Sequence, residues 1–142
     1  MTLPPNITKL REFAARYTAA WCSQNPAKVA AYFSPQGSLA INGGAPAIGR
    51  AAITEAAQSF MTAFPDLQVS MDDLRINGDR AEFHWTLAGT NNGPGGTGNR
   101  VRFSGFEAWE IGADGLVARS QGHFDEALYH HQLQHGIENP RQ

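Results

Sequence analysis

Cysteine is nearly absent: Cys22 stands alone in 142 residues, so no internal disulfide braces the chain. No apolar run approaches the length of a membrane span, and the start MTLPPNITKL lacks the basic-then-apolar order of a secretory leader. Basic residues are also few. The 11 Lys and Arg against 13 Asp and Glu give a net charge of -2, and they are too scattered to form a basic stripe. Neither nucleic acid nor an anionic membrane surface is expected as a partner, and a cytoplasmic protein is the simplest reading. There is no G-x-S-x-G elbow for a serine hydrolase and no H-E-x-x-H for a zinc site. The length predicts one domain over residues 1–142, enough to bury roughly two-thirds of its unfolded surface.

Two periodicities divide the chain. ITKLREFAARYTAAW sets Leu10, Phe13, Tyr17 and Trp21 at steps of three and four, which predicts an amphipathic first helix. Asn25 and Pro26 form a cap and first-turn pair for a short second helix ending near Phe33. GSLAING reads as a short strand entering a turn. A third helix in GRAAITEAAQSFMTAFPD spaces Ile53, Ala56, Ala57, Phe60 and Phe64 helically and is stopped by Pro65. The pattern then changes to strands: LQVSMDDLRI, RAEFHWTLAGT, RVRFSGFEAWEI and LVARSQGHF, separated by turns at NGD and GADG and by a Gly-rich loop. The tail DEALYHHQLQHG returns to helical spacing with Leu128 and Leu133. Helices first and a long antiparallel meander afterwards predict an α+β fold in which a conical, curved antiparallel sheet wraps around the N-terminal helices and encloses a pocket.

Several motifs have ordinary explanations. Gly93, Gly95 and Gly98 have the spacing of a dinucleotide-binding loop, but a strand follows where that fingerprint needs a helix, so the segment reads as a flexible hairpin loop over a pocket mouth. His131 and His135 are four residues apart on the last helix without a third ligand at a helpful spacing, which makes them a solvated face and leaves no metal site. Cys22 reads as a small core residue. His84 shares the polar register of Glu82 and Thr86 and belongs to the surface or a subunit contact.

Glu107 does not fit its pattern. In RVRFSGFEAWEIG the register Val101, Phe103, Gly105, Glu107, Trp109, Ile111 is the apolar one, so the strand carries a carboxylate on its buried face. One explanation is structural: an internal arginine or backbone donors neutralise it. The other is chemical: an apolar wall raises its pKa and makes it an acid/base near neutrality. An arginine within reach favours the first, and a carboxylate facing a cavity favours the second.

The segments AARYTAAW, FPDLQVSMDDLRINGDRAEFHWTLAGTNNG, GNRVRFSGFEAWEI and DGLVARSQGHFDEALYHHQL resemble the nuclear transport factor 2-like superfamily, and within it the SnoaL-like polyketide cyclase group. The most specific marks are FPDL, the GDR turn, W-T-x-x-G-T before the Gly-rich loop, and FD separated by six residues from QL. The resemblance implies a conical α+β (cystatin-like) barrel, commonly dimeric, with a deep apolar pocket. Its members include cyclases, ketosteroid isomerases, epoxide hydrolases and domains without known catalysis, so the fold does not settle function. In the cyclases the acid/base is an aspartate three residues before the aspartate of FD, and that position here is Gly122. Asn42 matches a site where cyclases keep an asparagine and isomerases an aspartate, and Glu107 matches a polar position on the strand beside Gly122.

The expected function is a small-molecule pocket protein doing acid/base chemistry on an apolar, ring-containing or carbonyl-bearing substrate. Glu107 would move the proton, with Asn42 and Gln121 hydrogen-bonding the oxygen on which charge develops. Tyr17, Trp21, Phe60, Trp85, Phe103 and Trp109 would form the wall. No metal or organic cofactor is needed, and a homodimer is expected. The alternatives are a non-catalytic binding or accessory domain and an epoxide hydrolase-like enzyme in which Glu107 activates water.

Overall fold

The computed structural model describes residues 7–137; most of the start read above for a leader lies outside the described residues. The elements run α1 (Ile7–Trp21), α2 (Pro26–Ala30), β1 (Phe33–Ile41), β2 (Ala47–Ile48), α3 (Arg50–Ala63), β3 (Gln68–Asn77), β4 (Arg80–Thr90), β5 (Arg100–Ile111), β6 (Val117–Phe124) and α4 (Glu126–His135). No helix among the described residues is long and apolar enough to cross a membrane.

The helices form where the spacing put them. On α1, Leu10, Tyr17 and Trp21 are buried with Ala14 between them, while Phe13 is half-buried and meets Tyr32 and Trp109 edge-on. Asn25 caps α2 by accepting from the Ala27 amide at 3.2 Å. That helix stops at Ala30, earlier than its sequence predicts, because Phe33 pairs with Val117 and enters the core as the first residue of β1. Tertiary pairing here overrides local propensity. Helix α3 turns Ile53, Ala57 and Met61 inward and ends two residues before Pro65. On α4 the inward residues are Tyr129, Gln132 and Leu133, whereas Leu128 is 41% exposed. Gln132 holds β5 by accepting from the Arg102 amide at 2.7 Å and donating to its carbonyl at 2.9 Å.

The strands form one six-stranded sheet in the order β2-β1-β6-β5-β4-β3. β3 to β6 are the predicted antiparallel meander, but β1 runs parallel to β6, so the sheet is mixed. The chain leaves β1, passes through α3 and the meander, and returns alongside β1 in the same direction; such a crossover gives parallel strands. Register irregularities at Met71/Asp73 and Glu110/Ile111 bend the strands, and the curved sheet remains open at β2 and β3. Helix α1 packs against β3 and α3 against β1, giving the concave face its apolar cover.

The Gly-rich loop is anchored to helix α3. Gly93 donates to the Ala63 carbonyl at 3.2 Å, as does the Asn91 side chain at the same distance, which ties the loop to the end of α3. A Cβ on Gly93 would lie 2.1 Å from the Thr62 carbonyl oxygen, so glycine is required for that close approach. Cys22 sits just past α1, half-buried, with its sulfur between the Val69 carbonyl at 3.3 Å and amide at 3.2 Å.

Candidate functional site

Alternation along β5 puts Val101, Phe103, Glu107 and Trp109 on the concave face, and all four are buried. Glu107 lies directly between Phe83 of β4 and Gly122 of β6 and is 7% exposed. Its Oε1 accepts from the Ser120 hydroxyl at 2.7 Å, the Trp109 indole N–H at 3.0 Å and the Tyr17 hydroxyl at 3.0 Å. Oε2 accepts only the other branch of the Tyr17 contact, at 3.1 Å. All of these partners are neutral. The internal arginine of the structural reading is not among them.

Burial raises the Glu107 pKa above its ordinary 4.5, and the hydrogen bonds from Trp109, Ser120 and Tyr17, which favour the anion, only partly offset it. Tyr17 is pushed well above 10.0, first by burial and then by the negative charge of Glu107, so its hydroxyl stays protonated and remains a donor. Around this centre Tyr17 packs edge-on against Phe83 and Trp109, which stack on each other at 5.1 Å. The carboxylate is thus held in one place by rings as well as by hydrogen bonds.

Glu107 opens onto an apolar cavity of about 60 Å³ between the helices and the sheet. Of the wall predicted from sequence, Trp21, Phe60, Trp85 and Phe103 line it, together with Phe83 and Phe124. Tyr17 and Trp109 do not line it; they are the carboxylate's donors instead. Ser120 escaped the sequence reading although it is fully buried and makes the shortest bond to Glu107. The signal was available in the alternation of Ser120, Gly122 and Phe124.

Gln121 does not join the site. It lies between Ser120 and Gly122 on β6, its neighbours across the sheet are Ala108 and Ala40, and its side chain is on the convex face with Arg80, Glu82 and Arg119. One residue of register separates it from Glu107. Asn42, in a left-handed conformation with φ of 51°, fastens the end of β6: its amide donates to Gly122 at 2.8 Å and its Oδ1 accepts from Phe124 at 2.9 Å. Its Nδ2 is buried and has no hydrogen-bond partner among the described residues. Ile41, Gly122 and Phe124, which surround this turn, all line the cavity.

The convex face has a separate cluster. Phe106 stacks between His84 at 5.3 Å and His123 at 5.0 Å, and His84 contacts Glu82 at 3.0 Å. His131 and His135 have ring centroids 4.7 Å apart on α4, and among the described residues no group of three or more metal-binding side chains is assembled.

A curved sheet over helices, with one buried carboxylate at a ring-lined cavity, defines a small α+β cavity domain. The chain belongs to the SnoaL-like domain family, which it matches over residues 14–120. Its fold is that of a candidate SnoaL-like polyketide cyclase from Jannaschia sp. CCS1, with a TM-score of 0.81 at 17% identity over 96% of this chain and 99% of that one. A ketosteroid isomerase-like fold from Catenulispora acidiphila DSM 44928, solved with trimethylamine, gives 0.76 at 16% identity over 86% and 92%. SalBIII, an epoxide hydrolase/cyclase-like enzyme of pyran ring formation in the polyether salinomycin, gives 0.73 at 18% identity over 85% and 94%. No curated protein matches the sequence.

Proposed function

We propose that the chain is a small-molecule pocket protein in which Glu107 exchanges a proton with an apolar, carbonyl-bearing ligand, chemistry of the cofactor-independent isomerase or cyclase type. One observation carries this reading: a buried carboxyl with only neutral partners opens onto an apolar cavity. A carboxyl whose pKa is raised by burial holds its proton closer to neutral pH, where general acid/base catalysis is most effective. A Cβ built on Gly122 would lie 3.9 Å from Glu107 Cγ, in ordinary contact, so side chains at these two positions approach the same space. In this reading Glu107 supplies from β5 the carboxylate that the resembling cyclases carry at the Gly122 position. Asn42 is kept as the donor to the ligand's oxygen on the strength of its unpaired Nδ2 alone, since its neighbours Ile41 and Gly122 line the cavity and Asn42 itself does not.

The cavity favours small ligands. Its volume of about 60 Å³ is well below the roughly 150 Å³ of a cavity that holds benzene, so a short ketone suits it best and a ring-bearing substrate requires the lining side chains to move apart. Trimethylamine in the Catenulispora protein and the ring chemistry of SalBIII agree with a small-molecule cavity. A second, non-catalytic reading has its own support in the three donors that fix Oε1. Epoxide opening ranks below both, because Glu107 has no arginine partner for the Asp–Arg–Asp set that reaction uses in this superfamily. For assembly, we propose that a second copy covers the half-buried Phe106 on the convex face, giving a homodimer that sedimentation detects as a concentration-dependent species.

The test is deuterium incorporation into acetone in D₂O. The wild type is expected to exceed the buffer rate and Glu107→Gln to fall to it. A wild type no faster than buffer removes the catalytic reading in favour of the binding one.

A further inference from the structure

We infer that the cavity selects a small organic cation, an alkylammonium ion or a tertiary amine that becomes protonated on binding, with Glu107 as its counter-ion. The inference rests on the Glu107 cavity being the ligand site, and its ligand is an ammonium ion in place of the neutral carbonyl compound.

The donors around Glu107 are arranged for an anion. Trp109 N–H can only donate, and the Ser120 and Tyr17 hydroxyls are both turned towards the carboxylate, so three neutral groups stabilise negative charge on Oε1. Among the described residues no cation contacts Glu107 to complete the pair. Among the described residues the titratable group facing Glu107 is Tyr17 of α1, and the residues of β4, β5 and β6 against it are Phe83, Trp109, Ser120 and Gly122. A buried anion without a cation is costly, and Glu107 is one of the residues that line the cavity.

The rest of the lining fits a cation. Trp21, Phe60, Phe83, Trp85, Phe103 and Phe124 contribute rings, and no Lys, Arg or His is among the lining residues. Aromatic rings attract organic ammonium ions through their quadrupoles and offer an anion nothing comparable. A negatively charged ligand meets only the carboxylate's repulsion. The volume of about 60 Å³ is well below the roughly 150 Å³ of a cavity that holds benzene, so only the most compact ammonium ions suit it, and the lining side chains move apart to admit one. Where Glu107 is protonated, binding a permanent cation releases that proton to solvent. A neutral tertiary amine instead takes it onto nitrogen, and no net proton is exchanged.

The experiment is calorimetric titration of the full chain with tetramethylammonium chloride and with tert-butanol, a neutral compound of similar size, at matched ionic strength and two pH values. Tetramethylammonium is expected to bind at least about tenfold more tightly, and more tightly at the higher pH. Glu107→Gln is expected to lose that preference. If tert-butanol binds the wild type equally well, the inference fails and the cavity reading stands. If neither compound binds, both fail. A preference retained in a folded Glu107→Gln also overturns the counter-ion role. The wild-type comparison decides the matter even if the variant does not fold.

Discussion

Glu107 and Glu110 stand on the same strand and on opposite faces of the same sheet. Glu107 faces inward, surrounded by a phenol, an indole and a serine hydroxyl. Glu110 faces outward with its side chain 37% exposed, between Arg119 at 3.4 Å and Arg80 at 3.7 Å. Both are carboxylates, yet one is held away from cations and the other is paired with two. Water screens the outer pairs and makes them weak, whereas inside every hydrogen bond and every missing charge weighs more. The face of the sheet on which it lies, more than residue type, therefore sets what each carboxylate does.

The most severe way to break this contrast is Glu107→Ala, which leaves three buried donors without their acceptor. It is expected to cost about 3 kcal/mol or more, against about 1 kcal/mol for Glu107→Gln, which keeps an acceptor. Urea unfolding of both variants checks this, and an alanine no worse than glutamine would mean that the donors carry little energy. Next in size, Ser120→Ala is expected to cost about 1 kcal/mol and to push the Glu107 titration further up. Gln121→Ala, one residue away on the other face, is expected to leave that titration unmoved.

The pH dependence separates the faces again. Folding raises the Glu107 pKa above 4.5, so between the unfolded and folded values the native state holds the extra proton and stability falls as pH rises. Asp66, Asp73 and Asp114 act in the opposite sense. They are held below 3.8 mainly by hydrogen bonds from the Thr90 amide, the Arg75 side chain and the Leu116 amide, and their contribution disappears as pH falls through their folded values. Wild type is thus expected to lose stability relative to Glu107→Gln as pH rises past 4.5, while both decline together in acid. The smallest effect belongs to Glu110→Gln, below about 1 kcal/mol and shrinking further with added salt.

The difference between the faces also explains what could be read from the sequence. Period two identified β4, β5 and the inward carboxylate, and helical spacing identified the buried faces of α1 and α3, because each pattern is local. The exchange of Ser120 for Gln121 came from a single residue of register on β6, where Gly122 carries no side chain and only Phe124 marks the inward face of the Ser120 register. Tyr17 and Trp109 were legible as large apolar residues but not as donors, since their bonds to Glu107 join α1 and two strand positions only after folding. The parallel pairing of β1 with β6 brings together residues about eighty positions apart and leaves no local trace. Even Phe33, read as the end of a helix, is placed by its partner Val117.

The most direct measurement is the titration of Glu107 itself, by carboxyl-resolved carbon NMR of the wild type with Glu107→Gln as the assignment control. A midpoint clearly above 4.5 is expected for a carboxyl buried among neutral donors beside an apolar cavity. A midpoint at or below 4.5 would contradict this and mark Glu107 as a structural anion whose hydrogen bonds outweigh its burial.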